Sequence, residues 1–219
     1  MGLDMYLNRY TTHGHTIEEC NLMESFVDWT LYMAQRKPED KPSTFYEWCH
    51  GDISLITPQL IEDILPEVIP RYLYTDVNKQ HPYNMVAEHV GYWRKANHIH
   101  AWFVKNVQNG VDDCDSYIVS REQLIALREA CVRIISETII LNPQIGCLQK
   151  AIEADWNLEI KVPKKMCQEL LPTQSGFFFS DTGYNGSYIY DLCETVKIIE
   201  NVLTSTDWNK HTVVYHASW

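Results

Sequence analysis

The stretch GYWRKANHIHAWFVKNVQNGVDDC, residues 91–114, decides how the fold of this chain is interpreted. Its apolar side chains recur at spacings of three and four, and they are Tyr92, Ala96, Ile99, Phe103 and Val107. That spacing places them on one face of a helix. Asn109 and Gly110 follow as a signal for a helix end and a turn. The pattern therefore predicts one buried helix over residues 92–108.

A second, polar stripe accompanies the apolar one. Arg94, His98 and Lys105 recur with Ala101 at spacings of four, three and four, and Asn97 lies next to them. Cationic side chains beside a histidine can hold an anionic ligand or donate a proton near neutral pH. These four polar residues are therefore candidate ligand-binding residues. A solvated helix face would show the same pattern.

The histidines and carboxylates of the stretch do not match a metal-binding spacing. His98 and His100 are two positions apart, which puts them on different sides of a helix. Asp112, Asp113 and Cys114 follow in a row, without the ligand spacing of a zinc site. We therefore predict no metal site and no cofactor. His100 is interpreted as a core histidine and the two aspartates as turn carboxylates.

Toward the N-terminus, two local patterns predict a strand and a helix. Residues 3–9 alternate between apolar and polar side chains, as in a half-buried strand. Thr16 and Glu19 form a capping box at a helix start. Apolar residues at helical spacing extend this predicted helix to about Gln35.

Residues 44–90 have a less regular pattern, which is typical of an irregular or inserted subregion. Thr57-Pro58 predicts a helix start, because proline is well placed at the first helical position. Pro66 and Pro70 are predicted to end that helix. Residues 85–90 predict a strand that leads into the central stretch.

The C-terminal half predicts further helices and a last strand. Ser120 and Gln123 form a second capping box, and Asn142-Pro143 is predicted to stop the helix that follows. The remaining predicted elements are short helices over 146–156 and 163–171, a buried strand at 177–179, a long helix with Ile189, Leu192, Val196, Ile199 and Leu203 on one face, and a strand over 211–219. Strands at both ends and in the middle, joined by helices, predict an α+β fold with helices packed on a small, mostly antiparallel sheet.

Composition favours one domain. The chain has 219 residues, of which 45% are apolar, and we predict a single α+β domain over 1–219 with insertions around 40–85 and 143–168. No apolar run reaches the roughly 18 residues of a membrane-spanning helix, and the N-terminus lacks a signal-peptide pattern. The seven cysteines include no CxxC pair, which is typical of reduced thiols. A cytoplasmic protein without membrane contact is predicted.

The net charge of −11 is unevenly distributed. Residues 1–90 contain 14 acidic and 6 basic side chains (−8), whereas residues 91–219 contain 15 and 12 (−3). An acidic chain without a basic stripe argues against direct binding of nucleic acid. The acidic first part can face a basic partner surface or serve only for solubility.

Two more groups of residues are candidates for binding. Thr173 and Ser175 precede Gly176 in a loop whose amides could surround a phosphate, although the loop lacks the GK[ST] of a P-loop. The second group comprises aromatic residues off the main apolar stripes, which are candidate partner-binding residues: Trp29, Tyr32, Trp48 and Trp102. No familiar catalytic motif is present, so the sequence leans against an enzyme.

Four segments resemble a family of proteins encoded by bacteriophages and prophages. They are MGLDMYL (1–7), the central stretch (91–114), LLPTQSGFFFS (170–180) and YHASW (215–219). The resemblance implies an accessory protein that acts inside an infected bacterial cell. It carries no assigned reaction, so no catalytic residue is transferred to this chain.

Two functional hypotheses follow. The first is a phage-encoded protein that binds and inhibits a host protein, such as a component of a defence system, through its exposed aromatic residues. The second is a small-molecule or nucleotide-binding protein, or an enzyme, that uses a polar and aromatic pocket. The first is favoured because no catalytic motif accompanies the polar residues.

Overall fold

The computed structural model describes residues 2–39, 43–74, 87–141, 159–176 and 181–219. These ranges contain seven α-helices, a four-stranded antiparallel sheet and a two-stranded antiparallel sheet. The predicted α+β fold is confirmed. Within the same ranges, no helix is both long and apolar enough to cross a membrane.

Helices and strands are interspersed along the chain. The helices are α1 (Ile17–Gln35), α2 (Phe45–Cys49), α3 (Pro58–Tyr74), α4 (Asn97–Asn106), α5 (Arg121–Ser136), α6 (Lys164–Leu170) and α7 (Gly186–Ser205), with a 3-10 turn at Ile53–Leu55. The strands are β1 (Asp4–Thr11), β2 (Ala87–Arg94), β3 (Ser116–Val119), β4 (Ile139–Ile140), β5 (Ile160–Lys161) and β6 (His211–Ser218). The larger sheet has the order β2-β1-β6-β3, and β4 pairs with β5.

The chain divides into two compact units. Unit 1 comprises Met1–Asn8, His89–Thr206 and Val213–Trp219, and unit 2 comprises Arg9–Glu88 and Asp207–Thr212. The first predicted insertion, 40–85, falls within unit 2. Most of the second, 143–168, lies outside the described residues.

The core of unit 1 joins the sheet to α4 and to the pair α5 and α7. Leu3, Met5 and Leu7 alternate along β1 and are fully buried. Helix α5 packs on α7, and each contributes apolar residues at helical spacing. A Cβ at Gly91 would lie 2.5 Å from Cγ2 of Ile198 in α7, so glycine allows β2 to approach that helix closely.

The core of unit 2 is formed by α1 and α3. Buried residues of the two helices form one apolar cluster: Cys20, Met23, Val27, Leu60, Ile64 and Val68. Helix α1 begins with the predicted capping box, since the Glu19 amide donates to the Thr16 hydroxyl and the Thr16 amide donates to the Glu19 carboxylate. It ends at Gln35, as predicted.

Three predicted boundaries are wrong. Helix α3 continues through Pro66 and Pro70 to Tyr74. Pro66 is exposed on this helix, so the carbonyl that loses its amide partner lies on the solvent side. Helix α5 ends at Ser136, before the predicted stop. The predicted elements at 146–156 and 177–179 lie outside the described residues, whereas α6 confirms the short helix predicted over 163–171.

The third correction concerns the central stretch. Tyr92 and Arg94 belong to β2, and helix α4 begins only at Asn97. Lys95 separates the two elements with a left-handed φ of 60°. Its amide donates to the carbonyl of Leu3, which extends the pairing of β2 with β1. As a result Tyr92 is 44% exposed rather than part of the buried stripe.

Candidate functional site

An aromatic cleft opens on unit 2 between the C-terminal half of α1, α2 and the 3-10 turn. Its volume is about 590 Å³, and it is lined by Trp29, Ser43, Thr44, Phe45, Tyr46, Gly51, Asp52 and Ile53. We refer to this cavity and the exposed rings of Tyr32 and Trp48 as the aromatic cleft. Its volume lies in the range of known ligand pockets.

Local sequence signals build one wall of the aromatic cleft. Helix α2 begins at a capping box in which Thr44 and Glu47 exchange hydrogen bonds. The helix ends at His50, which adopts a left-handed conformation with φ 56°. A Cβ at Gly51 would lie 2.4 Å from Cδ1 of Leu22, so any larger residue at this turn would have to displace the Leu22 side chain of α1.

The rings of the cleft contact one another directly. Phe45 is buried, and its ring centroid lies 5.7 Å from that of Trp29. The Trp29 indole donates to the Ser43 carbonyl at 3.0 Å, which holds its orientation. Tyr32 stacks on Trp48 with 4.6 Å between the ring centroids. One pair of rings thus lines the cavity, and a second pair is exposed on the same two helices.

Three of the four candidate partner-binding residues lie on α1 and α2 of unit 2, and Trp29 among them lines the cavity. Tyr32 and Trp48 are 36% and 43% exposed, and Trp29 is partly buried in the wall. Tyr46, which the sequence did not single out, is 65% exposed beside them. Trp102 lies elsewhere, half-buried on α4, with its ring edge-on to Phe103. The contact with Phe103 explains why an aromatic residue occupies position 102.

Unit 2 is acidic. Its sequence contains 14 Asp and Glu against 7 Lys and Arg, a net charge of −7. Asp52 lines the cleft, and Glu47 precedes Trp48 on α2. The aromatic cleft is therefore bordered by negative charge.

The candidate ligand-binding residues do not converge on one pocket. Arg94 is exposed on β2, and Lys105 is exposed in the last turn of α4. Asn97 and His98 are buried at the start of α4, each 2% exposed. The four side chains predicted to share a helix face thus occupy different environments, because β2 replaces the first turn of the predicted helix.

Asn97 and Thr173 form hydrogen bonds that connect the residues after α6 to those before α7. The Asn97 amide donates to the Asp181 carbonyl at 3.0 Å, and its oxygen accepts from the Gln174 backbone amide at 2.9 Å. Thr173 donates its hydroxyl to the carbonyl of Thr182 at 3.0 Å. These bonds use the polar atoms that would otherwise meet a ligand. Ser175 is exposed and remains a candidate.

His98 and Asp191 form a buried pair of titratable groups. Nε2 of His98 has no hydrogen-bond partner within the described residues and lies 4.0 Å from Oδ2 of Asp191. Burial lowers the pKa of His98 to about 3. Burial, and secondarily the charge of Glu194, raise the pKa of Asp191 to about 7. The ring of Tyr188 covers His98 with 4.3 Å between centroids.

A second histidine holds a hydrogen-bonded network in the core. Nδ1 of His100 lies 2.7 Å from the Tyr215 hydroxyl, and Nε2 lies 2.9 Å from Oδ1 of Asp112. Desolvation lowers the pKa of His100, although Asp112 opposes that shift. The neutral ring donates to the carboxylate and accepts from the phenol. The network ties the loop after α4 to β6, with the core histidine where the sequence predicts it.

We expect His100 and Tyr215 to be coupled in stability. His100→Leu leaves the Tyr215 hydroxyl buried without this partner and should lower the free energy of unfolding by about 2 kcal/mol. In a Tyr215→Phe background that hydroxyl is absent, so the same change should cost about 1 kcal/mol less. Urea unfolding of the four proteins measures the difference. Additive costs would show that the two groups do not interact.

No family model, curated protein or solved structure matches this chain. In the described part of the chain, no three or more His, Cys, Asp or Glu side chains are grouped to hold a metal ion. The cysteines described there are all free thiols. The surfaces of the molecule itself are therefore the source of functional information.

Proposed function

We propose that this chain is a non-enzymatic binding protein whose aromatic cleft receives a basic and apolar segment of a partner protein. The observation that carries the proposal is a cavity lined by Trp29, Phe45 and Tyr46. The exposed, stacked rings of Tyr32 and Trp48 lie on the same two helices, α1 and α2. Tryptophan and tyrosine are the residues most often responsible for binding energy at protein interfaces.

The arrangement of rings favours a protein segment over a compact small molecule. The exposed rings of Tyr32, Tyr46 and Trp48 extend the apolar surface beyond the cavity, together with Ile53 and Leu55, which are 51% and 56% exposed. A small ligand would fill the cavity and leave these side chains in water. A peptide segment can place an apolar anchor in the cavity and cover the surrounding rings.

The negative net charge of unit 2 favours a positively charged partner. With a net charge of −7, unit 2 attracts a basic surface over distances of about a Debye length. Such complementarity mainly raises the association rate and excludes acidic competitors. We therefore assign Lys or Arg side chains to the flanks of the segment that enters the cleft.

The resemblance to phage-encoded proteins supports a partner in an infected bacterial cell, because many accessory phage proteins act on host proteins. A binder without catalytic groups acts by occupying a surface. The proposed role is inhibition of a host protein, with defence systems as the expected class of target.

A site-specific photo-crosslinker tests the proposal in bacterial cells. Benzoylphenylalanine in place of Trp48 should give one discrete adduct with a host protein. The same residue in place of Val132, which is 40% exposed on α5 in unit 1, is the matched control and should give none. Adducts of equal yield from both positions, or none from either, would contradict the proposal.

We then expect the purified partner to distinguish two tryptophans. Trp48→Ala should weaken binding at least about 30-fold, as for an interface hot spot. Trp102→Ala removes a ring of the same type from α4 and should change the dissociation constant less than about threefold. Affinity should fall as salt is added, since the flanking contacts are ionic. Equal binding by the Trp48 variant and the unchanged protein would exclude the cleft as the binding site.

A further inference from the structure

The sheet of unit 1 carries a continuous surface of rings that the aromatic cleft does not include. Tyr6 on β1 lies at its centre, with ring centroids 5.2 Å from His89 and 5.4 Å from Tyr92 on β2, and 6.1 Å from His216 on β6. The two imidazoles lie nearly parallel to the Tyr6 ring, at 27° and 23°. We refer to these four rings as the ring platform.

Hydrogen bonds to β1 hold the two outer rings of the platform in place. The Tyr92 hydroxyl donates to Oδ1 of Asp4, and Nδ1 of His89 lies 2.6 Å from Oδ1 of Asn8. Tyr92 and His89 are nonetheless exposed, so their outer surfaces can accept another ring. A rigid, exposed aromatic surface loses little conformational entropy when a planar ligand stacks on it.

Two cations stand at one end of the ring platform. Arg94 follows Tyr92 by two positions on β2 and therefore lies on the same face of the sheet. Lys95 comes next, and its Cε would lie 3.2 Å from a Cβ at Gly2, which places it beside the chain just before β1. Both cations are exposed. Neither forms an ion pair with any residue that the structure describes. Asp4 is an acidic side chain of this face, and it accepts a hydrogen bond from the Tyr92 hydroxyl. The two cations outnumber this one carboxylate, so an anionic group can bind here despite the acidic composition of the chain.

From this juxtaposition we infer that the ring platform binds a nucleotide. The base stacks on the exposed ring of Tyr92 beside Tyr6, and the phosphate pairs with Arg94 and Lys95. Every nucleobase has a face that stacks on an aromatic side chain, and arginine binds phosphate through two parallel hydrogen bonds. The ligand is a mononucleotide rather than a nucleic-acid strand, because a net charge of −11 opposes a polyanion.

Calorimetric titration with AMP, GMP, CMP and UMP tests the inference. At least one of the four should bind saturably, and adenosine or guanosine should bind more weakly than the matching monophosphate. Tyr92→Ala should weaken binding about tenfold, whereas Tyr92→Phe retains the ring and should stay within about threefold of the unchanged protein. Arg94→Ala should weaken binding and reduce its dependence on salt.

Matched controls come from other surfaces of the chain. Tyr46→Ala and Arg133→Ala remove an exposed tyrosine and an exposed arginine far from β2 in sequence, and both should leave the dissociation constant unchanged. Trp48→Ala should do the same, which separates this inference from the function proposed for the aromatic cleft. Failure of all four nucleotides to bind at millimolar concentration would overturn the inference. So would tighter binding of an oligonucleotide than of any mononucleotide, or equal losses in the Tyr46 and Tyr92 variants.

Discussion

Phe103→Ala is expected to lower the free energy of unfolding by about 3–5 kcal/mol, the range seen for large-to-small changes in well-packed cores. Phe103 is fully buried on α4. Its ring lies parallel to that of Tyr215, with 3.9 Å between centroids and 8° between planes, and 5.9 Å from Trp93. Removing it opens a cavity between the helix and two strands, β2 and β6. The large neighbouring rings cannot fill that space without leaving their own hydrogen-bonded positions.

Urea unfolding of three variants measures this effect. Phe103→Leu keeps most of the apolar volume and should lose less than half as much stability as Phe103→Ala. Ile118→Ala is the exposed control, since Ile118 is 64% exposed on β3, and should change stability by no more than about 0.5 kcal/mol. Similar small losses in all three variants would mean that α4 does not pack on the sheet as described.

Helix starts were predictable because their determinants lie within four residues of each other. Thr16 with Glu19 and Ser120 with Gln123 each form both hydrogen bonds of a capping box at the predicted place. Such a pattern is decided locally, whatever the rest of the chain does. Helix ends were less predictable. Helix α3 passes Pro66 because its packing on α1 outweighs one lost hydrogen bond on the exposed side.

The central stretch shows the limit of periodicity. Residues 92–94 fit a helix by apolar spacing and a strand by composition, and partners distant in sequence decide between the two. Lys95 donates its amide to Leu3, and the Tyr92 hydroxyl donates to Asp4, so pairing with β1 makes this segment a strand. A helical pattern of spacings contains no information about that pairing.

The surface residues were partly predictable for a similar reason. Trp29, Tyr32 and Trp48 were found because they fall off the apolar stripes, which is a local property. That they lie close together on two helices depends on the packing of α2 against α1, which their positions along the chain do not reveal. No local pattern in the sequence indicated Tyr46 or the ring platform as a binding surface. Tyr6 meets its three ring partners only through the order of strands in the sheet.

We expect the buried pair His98 and Asp191 to contribute two opposite pH dependences to the stability of the protein. Burial lowers the pKa of His98 from its usual 6.5 to about 3, so the folded chain lacks a proton that the unfolded chain holds between these values. That difference makes stability fall as pH falls below 6.5. Burial, with the charge of Glu194, raises the pKa of Asp191 from 3.8 to about 7, so here the folded chain keeps a proton that the unfolded chain has lost. That difference makes stability fall as pH rises toward 7.

Between about pH 4 and pH 6.5 the two effects cancel in the unchanged protein, because the folded and the unfolded chain each hold one proton on this pair. In the Asp191→Asn variant the carboxyl with the raised pKa is absent, so the lowered pKa of His98 is no longer offset. Relative to the unchanged protein, this variant should lose about 3 kcal/mol of stability as pH falls from 6.5 to 4. His98→Asn leaves Asp191 alone and should show the opposite trend, with stability lost as pH rises through the same window. Its slope should be smaller, since the Asp191 side chain is 28% exposed and solvent screens its charge.

Urea unfolding from about pH 4 to pH 8, plotted as each variant minus the unchanged protein, isolates the pair from all other titrating groups. Two difference curves of opposite slope are expected, whatever constant offset each substitution adds through packing. Asn is chosen at both positions because it is polar and does not titrate. Flat difference curves would mean that neither group has a shifted pKa, and that water reaches His98 despite its position beneath Tyr188. Slopes of the same sign in both variants would contradict the assignment of a neutral imidazole beside a protonated carboxyl.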